Sequence, residues 1–201
     1  FNNASFSIAR GEKVALVGRN GEGKSTMIKA ILGEIAVEGT CQLGHNAQIG
    51  YFAQNQAALL DPNLTVFQTV DEVAKGDIRT QIKNMLGQFM FSGDAIQKKV
   101  GLLSGGEKTR LAMVKLLLEP VNVLILDEPT NHLDIKSKDV LKEALKNFDG
   151  TLILVSHDRD FLQGLANKVF EFKEQRVIEH FETIDAFLER NKVETMRELA
   201  M

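Results

Sequence analysis

The chain carries a glycine-rich segment with a lysine and two hydroxyl residues near its start. This segment, Gly18-Arg-Asn-Gly-Glu-Gly-Lys-Ser-Thr26, matches the pattern G-x-x-x-x-G-K-[ST] and lies between an apolar run and a helical pattern. Glycines let backbone N–H groups converge on a polyphosphate, and the helix that follows adds its positive end. Lys24 can reach the β- and γ-phosphates, and Ser25 can offer its hydroxyl to Mg²⁺. We therefore predict a nucleoside triphosphate site whose binding residues are Gly18, Asn20, Gly21, Gly23, Lys24, Ser25 and Thr26.

Two acidic residues follow a second apolar run further along the chain. The run Val121-Asn-Val-Leu-Ile-Leu126 ends in Asp127, and Glu128 comes next. In phosphate-loop nucleotide hydrolases, an aspartate at such a strand end holds Mg²⁺, directly or through water. An adjacent glutamate can orient or deprotonate the attacking water. An acidic turn at a strand end is the purely structural interpretation, which the upstream phosphate loop disfavours. We predict that Asp127 is a metal ligand together with Ser25, and that Glu128 is a general base.

The segment Leu103-Ser-Gly-Gly-Glu-Lys-Thr-Arg110 precedes an apolar helical pattern over 111–118. Interpreted locally, Ser104 and Glu107 form a capping box that opens this helix. Two glycines at a helix start also expose N–H groups and the helix dipole to an anion. A chain with one phosphate loop needs a second anion site only if the two sites act on different nucleotides. Residues 104–106 are therefore candidates for contact with a second nucleotide.

Alternating strand and helix patterns must position these residues. The uninterrupted apolar runs favour parallel strands covered on both faces, and the helix between them completes a β-α-β unit. The patterns predict a doubly wound α/β core with a helical insertion, in which ligands bind at the carboxyl ends of the strands. The predicted strands are Ala4–Ile8, Lys13–Val17, a β segment from Gly39–Cys41 through Gln48–Phe52, Val121–Leu126 and Thr151–Val155; the predicted helices are Lys24–Leu32, Thr65–Ala74, Ile78–Phe89, Leu111–Leu118, Ile135–Phe148 and Glu182–Leu199.

The composition is that of an ordinary globular protein, with 201 residues, 44% hydrophobic, 25% charged and a net charge of −3. A domain that binds nucleic acid by itself usually carries a basic excess, so RNA contacts would need other segments of a longer chain. The apolar runs are too short to span a bilayer, and the single cysteine, Cys41, excludes an internal disulfide. We therefore expect a cytoplasmic protein. Because the chain starts at Phe1 with a strand pattern and ends in a helical one, we expect it to be part of something larger.

The motifs, taken in order, resemble those of an ATP-binding cassette (ABC) ATPase over nearly the whole chain. The resemblance implies the ABC ATPase fold, a phosphate-loop NTPase (RecA-like) α/β core with an antiparallel β segment and an inserted α-helical subdomain. It places the core at about 1–56 and 119–183, the helical subdomain at about 57–118, and a C-terminal helix or extension at 184–201, in one domain truncated at its N-terminus. The motifs are the phosphate loop, Tyr51-Phe-Ala-Gln54, Leu103-Ser-Gly-Gly106, Ile125-Leu-Asp-Glu128, Asp134 and Ser156-His-Asp158.

The resemblance also implies roles at a composite site. Two cassettes would pack head to tail around two ATP molecules, so that the phosphate loop of one faces Ser104, Gly105 and Gly106 of the other. Gln54 and Asp127 would position Mg²⁺ and water, Glu128 would be the base, and His157 would sense the γ-phosphate. Asp134 would contact the partner cassette. Residue type alone allows a purely structural alternative for each of three residues. Gln54 could be a solvated polar residue, His157 could be a histidine at a strand end that caps the next turn, and Asp134 could be a simple helix N-cap.

One segment distinguishes between branches of this family. The segment Asp127-Glu-Pro-Thr-Asn-His-Leu-Asp134, with Ser156-His-Asp-Arg159 and Phe161-Leu162, resembles the soluble ABC-F branch. Members hold two cassettes in one polypeptide without a membrane domain, and the segments 89–93, 98–100 and 104–110 resemble the second, C-terminal cassette. The branch acts on the ribosome near the tRNA exit site, contacting RNA mostly through an arm and a linker outside this chain, and some members protect against antibiotics. The alternatives are the ATP-binding subunit of a membrane transporter and a stand-alone nucleotide-binding module.

Two departures from the family pattern stand out. The aromatic residue that stacks on adenine in the family has no good equivalent here, because Phe1 is a poor substitute and Phe6 is expected in the core. Base specificity is therefore not predicted. Glu22 stands in the phosphate loop where the family more often has a small residue. A carboxylate there would repel phosphate, so we expect Glu22 to face solvent.

Overall fold

A computed structural model describes residues 2–53 and 55–199 of the chain, with side chains described for 2–53 and 55–193. A six-stranded sheet runs through it in the order β2-β3-β4-β1-β5-β6. All neighbouring pairs are parallel except β5–β6, which is antiparallel. The strands are β1 (Lys13–Gly18), β2 (Ile49–Phe52), β3 (Val123–Asp127), β4 (Thr151–Val155), β5 (Lys168–Lys173) and β6 (Arg176–His180).

Seven α-helices accompany the sheet in the described part of the chain. Short 3₁₀ turns at Gln56–Leu59, Gly76–Gln81, Gly93–Gln97 and Val100–Leu102 link the helices that lie between β2 and β3. The helices are α1 (Lys24–Ile31), α2 (Val66–Asp71), α3 (Ile82–Gln88), α4 (Gly105–Leu118), α5 (Ile135–Lys146), α6 (Arg159–Leu162) and α7 (Ile184–Leu199). Within the described residues, no helix is both long and apolar enough to cross a bilayer.

The central strands are apolar on both faces because each face has its own hydrophobic cluster. Alternate residues of β4 show this: Leu152 and Leu154 pack in one cluster, whereas Ile153 and Val155 pack in the other. Helices α2 to α7 contribute to the first cluster, and α1 contributes to the second. Every residue of β4 is buried, as expected for an inner parallel strand. A sheet with helices packed on both faces confirms the predicted doubly wound α/β core.

Side-chain caps fix where several helices begin. Ser104 and Glu107 form the predicted capping box at the start of α4: Ser104 Oγ accepts the Glu107 N–H at 3.2 Å, and the Ser104 N–H donates to Glu107 Oε2 at 2.7 Å. Thr65 and Gln68 form a second box on α2. Such caps satisfy backbone N–H groups that have no partner inside a helix.

Three predicted elements differ from the structure. Residues 4–8 form no strand, although their alternation persists as packing: Ala4, Phe6 and Ile8 are half-buried, and the Phe6 ring lies 4.5 Å from that of Phe170. The predicted β segment at 39–52 is reduced to β2, which pairs in parallel, so the antiparallel pair of the sheet is β5–β6 instead. The helix predicted over 78–89 is a 3₁₀ turn up to Gln81 and becomes α-helical only from Ile82.

Candidate active site

Three adjacent strands bring the predicted site residues to one edge of the sheet. Strands β3, β4 and β1 are neighbours and parallel, so their carboxyl ends lie side by side. The phosphate loop leaves β1, Asp127 ends β3, and His157 lies two residues beyond the end of β4. Ligands of open parallel sheets bind at such an edge. The topology therefore assembles the phosphate loop, the acidic pair and the histidine in one place.

Glycine is required in the phosphate loop by conformation and by space. Gly18, Gly21 and Gly23 have φ angles of +147°, +86° and +104°. A Cβ on Gly18 would lie 2.4 Å from the Phe172 carbonyl oxygen on β5. Gly23 is the N-cap of α1 and has no side chain to cap it, so the helix starts without a side-chain cap. The first N–H groups of α1 therefore remain available to an anion.

We expect Gly18→Ala to lower the free energy of unfolding by about 2 to 5 kcal/mol, since positive-φ strain and a backbone clash act together. The matched control is Gly21→Ala, where φ is +86° but no atom lies within 4 Å of the added Cβ. That variant should lose only about 1 kcal/mol. Urea denaturation of the two variants measures the difference, and equal losses would contradict the assigned clash with β5.

Lys24 is a buried cation held against the backbone of the loop. Its Nζ donates to the carbonyl oxygens of Gly18 at 2.6 Å and Arg19 at 2.9 Å. An ammonium has three donors, so one remains for a phosphate oxygen. Burial lowers the pKa of Lys24, while the charges of Glu128, Asp127 and Glu22 oppose this shift. The side chain is thus fixed at the base of the predicted phosphate site.

Ser25 and Asp127, the two predicted metal ligands, lie within hydrogen-bond distance of each other. Ser25 Oγ donates to Asp127 Oδ2 at 3.2 Å, which joins the start of α1 to the end of β3. Burial raises the pKa of Asp127, and the Ser25 hydrogen bond and the charge of Lys24 oppose the increase. Among the described residues, no group of three or more His, Cys, Asp or Glu side chains is arranged to hold a metal ion. Mg²⁺ needs none, because it is usually held by one or two protein oxygens, waters and substrate phosphates. The donor set therefore fits Mg²⁺.

Glu128 is held in an unusual backbone conformation beside His157. Its φ is +51°, and its N–H donates to the Val155 carbonyl at 2.8 Å. The His157 N–H donates in turn to Glu128 Oε2 at 3.3 Å. Glu128 Oε1 is buried and lacks a hydrogen-bond partner, although His157 Nε2 lies 3.3 Å away. That nitrogen is instead aligned with Asn20 Oδ1 at 3.0 Å. Burial raises the pKa of Glu128, which suits a group that must accept a proton.

The second predicted group, residues 104–106 and Asp134, is assembled by α4 and α5. Asp134 is the N-cap of α5, with Oδ1 accepting the Ser137 N–H at 2.9 Å, so its predicted capping interpretation is confirmed. Its Oδ2 also lies 3.4 Å from Nη1 of Arg110 on α4. Ser104 caps α4, and of the two glycines that follow, Gly105 is exposed and Gly106 is half-buried. Arg110 therefore links the two segments that were predicted to face a partner cassette.

Several features of the site differ from, or lie beyond, the sequence prediction. Gln54 lies outside the described residues, as does Phe1, so neither role has an observed geometry. Glu22 does not simply face solvent: it is half-buried, and Oε2 accepts the Gln175 N–H at 3.5 Å in the β5–β6 turn. The Asn20–His157 contact was not predicted, because nothing local relates two residues 137 positions apart. The sequence also gives no sign of the Arg110–Asp134 contact, which joins two different helices.

The fold and this edge of the sheet together define a phosphate-loop nucleotide-binding cassette. Residues 1–131 match the family described as "ABC transporter", and the chain belongs to that family. It is 47% identical over 201 residues to "ABC transporter F family member 2" of Arabidopsis thaliana, covering 99% of this chain and 30% of that protein. It is 45% identical over 187 residues to "Putative ATP-binding protein YdiF" of Bacillus subtilis (strain 168), covering 92% of this chain and 29% of that one.

A solved structure has the same fold. It is the dimeric structure of a post-hydrolysis state of the ATP-binding cassette MJ0796 bound to ADP and Pi, with a TM-score of 0.70. The two sequences are 24% identical, and the match covers 89% of each chain. The predicted ABC ATPase fold is therefore confirmed. The chain itself spans only about 30% of the length of the two curated relatives, so it corresponds to one part of such proteins.

Proposed function

We propose that this chain is an ATP-hydrolysing cassette in which Glu128 is the general base. The observation that carries the proposal is the position of the half-buried Glu128 carboxylate beside His157, at the edge of the sheet that also holds Lys24 and the Ser25–Asp127 pair. A half-buried carboxylate with one oxygen that has no hydrogen-bond partner, next to a loop built for phosphate, is suited to bind and deprotonate one water molecule.

In this mechanism each side chain has a separate task. Lys24 directs its remaining donor to the β- and γ-phosphates, and the N–H groups at the start of α1 bind phosphate oxygens. Ser25 and Asp127, with Gln54, would hold Mg²⁺, which supplies positive charge against the phosphates. Glu128 takes a proton from the water as its oxygen bonds to the γ-phosphorus and the bond to the bridging oxygen of ADP breaks. His157 orients the Glu128 carboxylate through its backbone N–H. Its imidazole, which is 57% exposed, faces the γ-phosphate.

A second cassette would complete the site. The N-terminal end of α4, with the exposed Gly105 and the half-buried Gly106, offers N–H groups to an anion, and residues 18–26 do not need them for their own nucleotide. We propose that these residues, with Ser104 and Asp134, contact the nucleotide held by a partner cassette in a head-to-tail pair. The dimeric state of the matched cassette structure supports this arrangement. The proposed division into a core (1–56 and 119–183) and a helical subdomain (57–118) is supported by the positions of β1 to β6, none of which lies within 57–118.

We further propose that the full protein is an ABC-F factor that acts in the cytoplasm on the ribosome, with this chain as its second cassette. The segment Asn131-His-Leu-Asp134 supports the branch, as does the name of the Arabidopsis thaliana relative. The net charge of −3 suggests that rRNA and tRNA are contacted by other segments. The alternative, a transporter ATP-binding subunit, has less support, because this segment departs from the usual transporter sequence.

The test uses the full-length protein carrying Glu128→Gln, which should retain ATP without hydrolysing it. The protein is mixed with cell lysate and either ATP or ADP, and is then sedimented through sucrose. We expect it to migrate with ribosomes in ATP but not in ADP. Migration with membranes would instead support the transporter alternative. Migration with neither fraction would contradict both the ribosome and a membrane protein as the binding partner.

A further inference from the structure

An ion pair next to His157 plays no part in the mechanism above. Lys138, in the first turn of α5, donates through Nζ to Asp158 Oδ2 at 2.8 Å. Asp158 immediately follows His157, and its Oδ1 accepts the Phe161 N–H at 3.1 Å as the N-cap of α6. Its own N–H donates to Ser156 Oγ at 3.1 Å. The Lys138 hydrogen bond is the main reason why the pKa of Asp158 lies below its usual value. Asp158 is therefore fixed by hydrogen bonds with three other residues.

The same helical turn also carries Asp134. The Lys138 N–H donates to the Asp134 carbonyl at 3.0 Å, so the two residues are linked through the backbone of a single turn. Asp134 reaches Arg110 on α4 through Oδ2 at 3.4 Å, whereas Lys138 reaches Asp158. One turn of α5 thus lies between the predicted partner-facing residues and the loop that carries His157.

We propose that Lys138 is a positioning residue for ATP hydrolysis, because its ion pair with Asp158 fixes the loop in which His157 contacts Glu128. This inference rests on the proposed ATPase function. The side chains of Lys138 and Asp158 are 34% and 25% exposed, and half-exposed ion pairs add little to stability. The main consequence of the pair is geometric: the segment 156–158 has one orientation in which the His157 N–H meets the Glu128 carboxylate at 3.3 Å. A small displacement of an orienting group is costly for catalysis.

A purely structural role is the competing explanation, and the chain provides a matched control for it. Lys142 lies one turn further along α5, and its Nζ donates to the Asp160 carbonyl at 2.5 Å. It therefore joins α5 to α6 as Lys138 does, but without contacting Asp158. If the contact merely held the two helices together, Lys138→Met and Lys142→Met would have the same effects.

The experiment compares Lys138→Met, Lys138→Arg and Lys142→Met in the full-length protein. We expect Lys138→Met to lower kcat for ATP about tenfold with little change in KM, a typical loss when an orienting contact is removed. Lys138→Arg retains the cation and should recover most of the activity, and Lys142→Met should resemble the wild type. Thermal unfolding should shift by a similar small amount in both methionine variants. Equal kcat values for Lys138→Met and Lys142→Met would overturn the proposal.

A second arm asks whether Lys138 acts through the Glu128 carboxylate, which accepts the backbone N–H of His157. In a Glu128→Gln background, where the proposed base is absent, Lys138→Met should cause no further loss of kcat, and a full additional loss would overturn the proposal. Amide hydrogen exchange over 154–163 gives a readout that does not depend on turnover: Lys138→Met should speed exchange at His157, and Lys142→Met should not. Unchanged exchange in Lys138→Met would refute the positioning role. If the Glu128→Gln protein retained wild-type turnover, the proposed function would be refuted. The hydrogen-exchange result would still decide the role of Lys138.

Discussion

Glu128→Gln is expected to reduce ATP turnover by about 10²- to 10⁴-fold, the usual contribution of a positioned general base. Glutamine keeps the size of the side chain and an acceptor for the His157 N–H, which lies 3.3 Å from Oε2. It cannot take up the proton of the attacking water. Because burial raises the pKa of Glu128, the native carboxylate is a stronger base than an exposed glutamate, and this advantage is lost with the charge.

The matched control for this variant is Glu119→Gln. Glu119 is also half-buried, and burial also raises its pKa, but it lies at the C-terminal end of α4. Its replacement should leave turnover close to the wild-type value. Steady-state phosphate release measures turnover, and calorimetric titration should give ATP affinities within a few-fold of one another for all three proteins. Retention of more than about a tenth of the wild-type rate by Glu128→Gln would mean that another group is the base.

Lys24→Ala is expected to weaken ATP binding about 10- to 100-fold, because charge-assisted hydrogen bonds to the β- and γ-phosphates are worth about 1.5 to 3 kcal/mol. The buried ammonium is held at the site by the Gly18 and Arg19 carbonyls, so its donors do not need to be ordered when the nucleotide arrives. Removing it also removes a cation whose charge lowers the pKa of Asp127 and Glu128, so repulsion between these carboxylates and the phosphates increases.

The control is Lys29→Ala on the same helix, where the side chain is exposed in the last turn of α1. Calorimetric titration with ATP should give near wild-type affinity for this variant. Thermal unfolding is measured in parallel, because Lys24 also bonds to two loop carbonyls. If Lys24→Ala folds normally and still binds ATP as tightly as Lys29→Ala, residues 18–26 are not the phosphate site.

Local chemistry explains why much of the site was predictable. Glycines at positive φ, a capping box and a strand ending in a carboxylate all act within a few residues, so the patterns at 18–26, 104–107 and 123–128 identify them directly. The uninterrupted apolar runs likewise predicted β3 and β4, because a strand covered on both faces has no polar side. These features depend on neighbours along the chain rather than on the fold.

Features that depend on distant pairing were missed. The alternation at 4–8 correctly predicts which side chains are half-buried, but alternation reports burial and not a hydrogen-bonded partner strand. The start of the helix predicted at Ile78 fails because the Thr80 hydroxyl bonds to the Asp77 carbonyl, a local alternative to the α-helical pattern. The pairs Asn20–His157, Arg110–Asp134 and Lys138–Asp158 join residues that only the folded sheet brings together.

The hydrogen bond between His157 Nε2 and Asn20 Oδ1 competes with any hydrogen bond from His157 to a γ-phosphate. His157 Nε2 can carry one proton, and at 3.0 Å that proton is directed to the Asn20 amide oxygen. A γ-phosphate oxygen that accepts the same proton must displace Asn20, because one N–H serves one strong acceptor at a time. With His157 at the γ-phosphate, as proposed above, arrival of the third phosphate would free the asparagine, and departure of the phosphate would let it return. ADP lacks the competing oxygen, so a change of hydrogen-bond acceptor at His157 Nε2 would distinguish the two nucleotides.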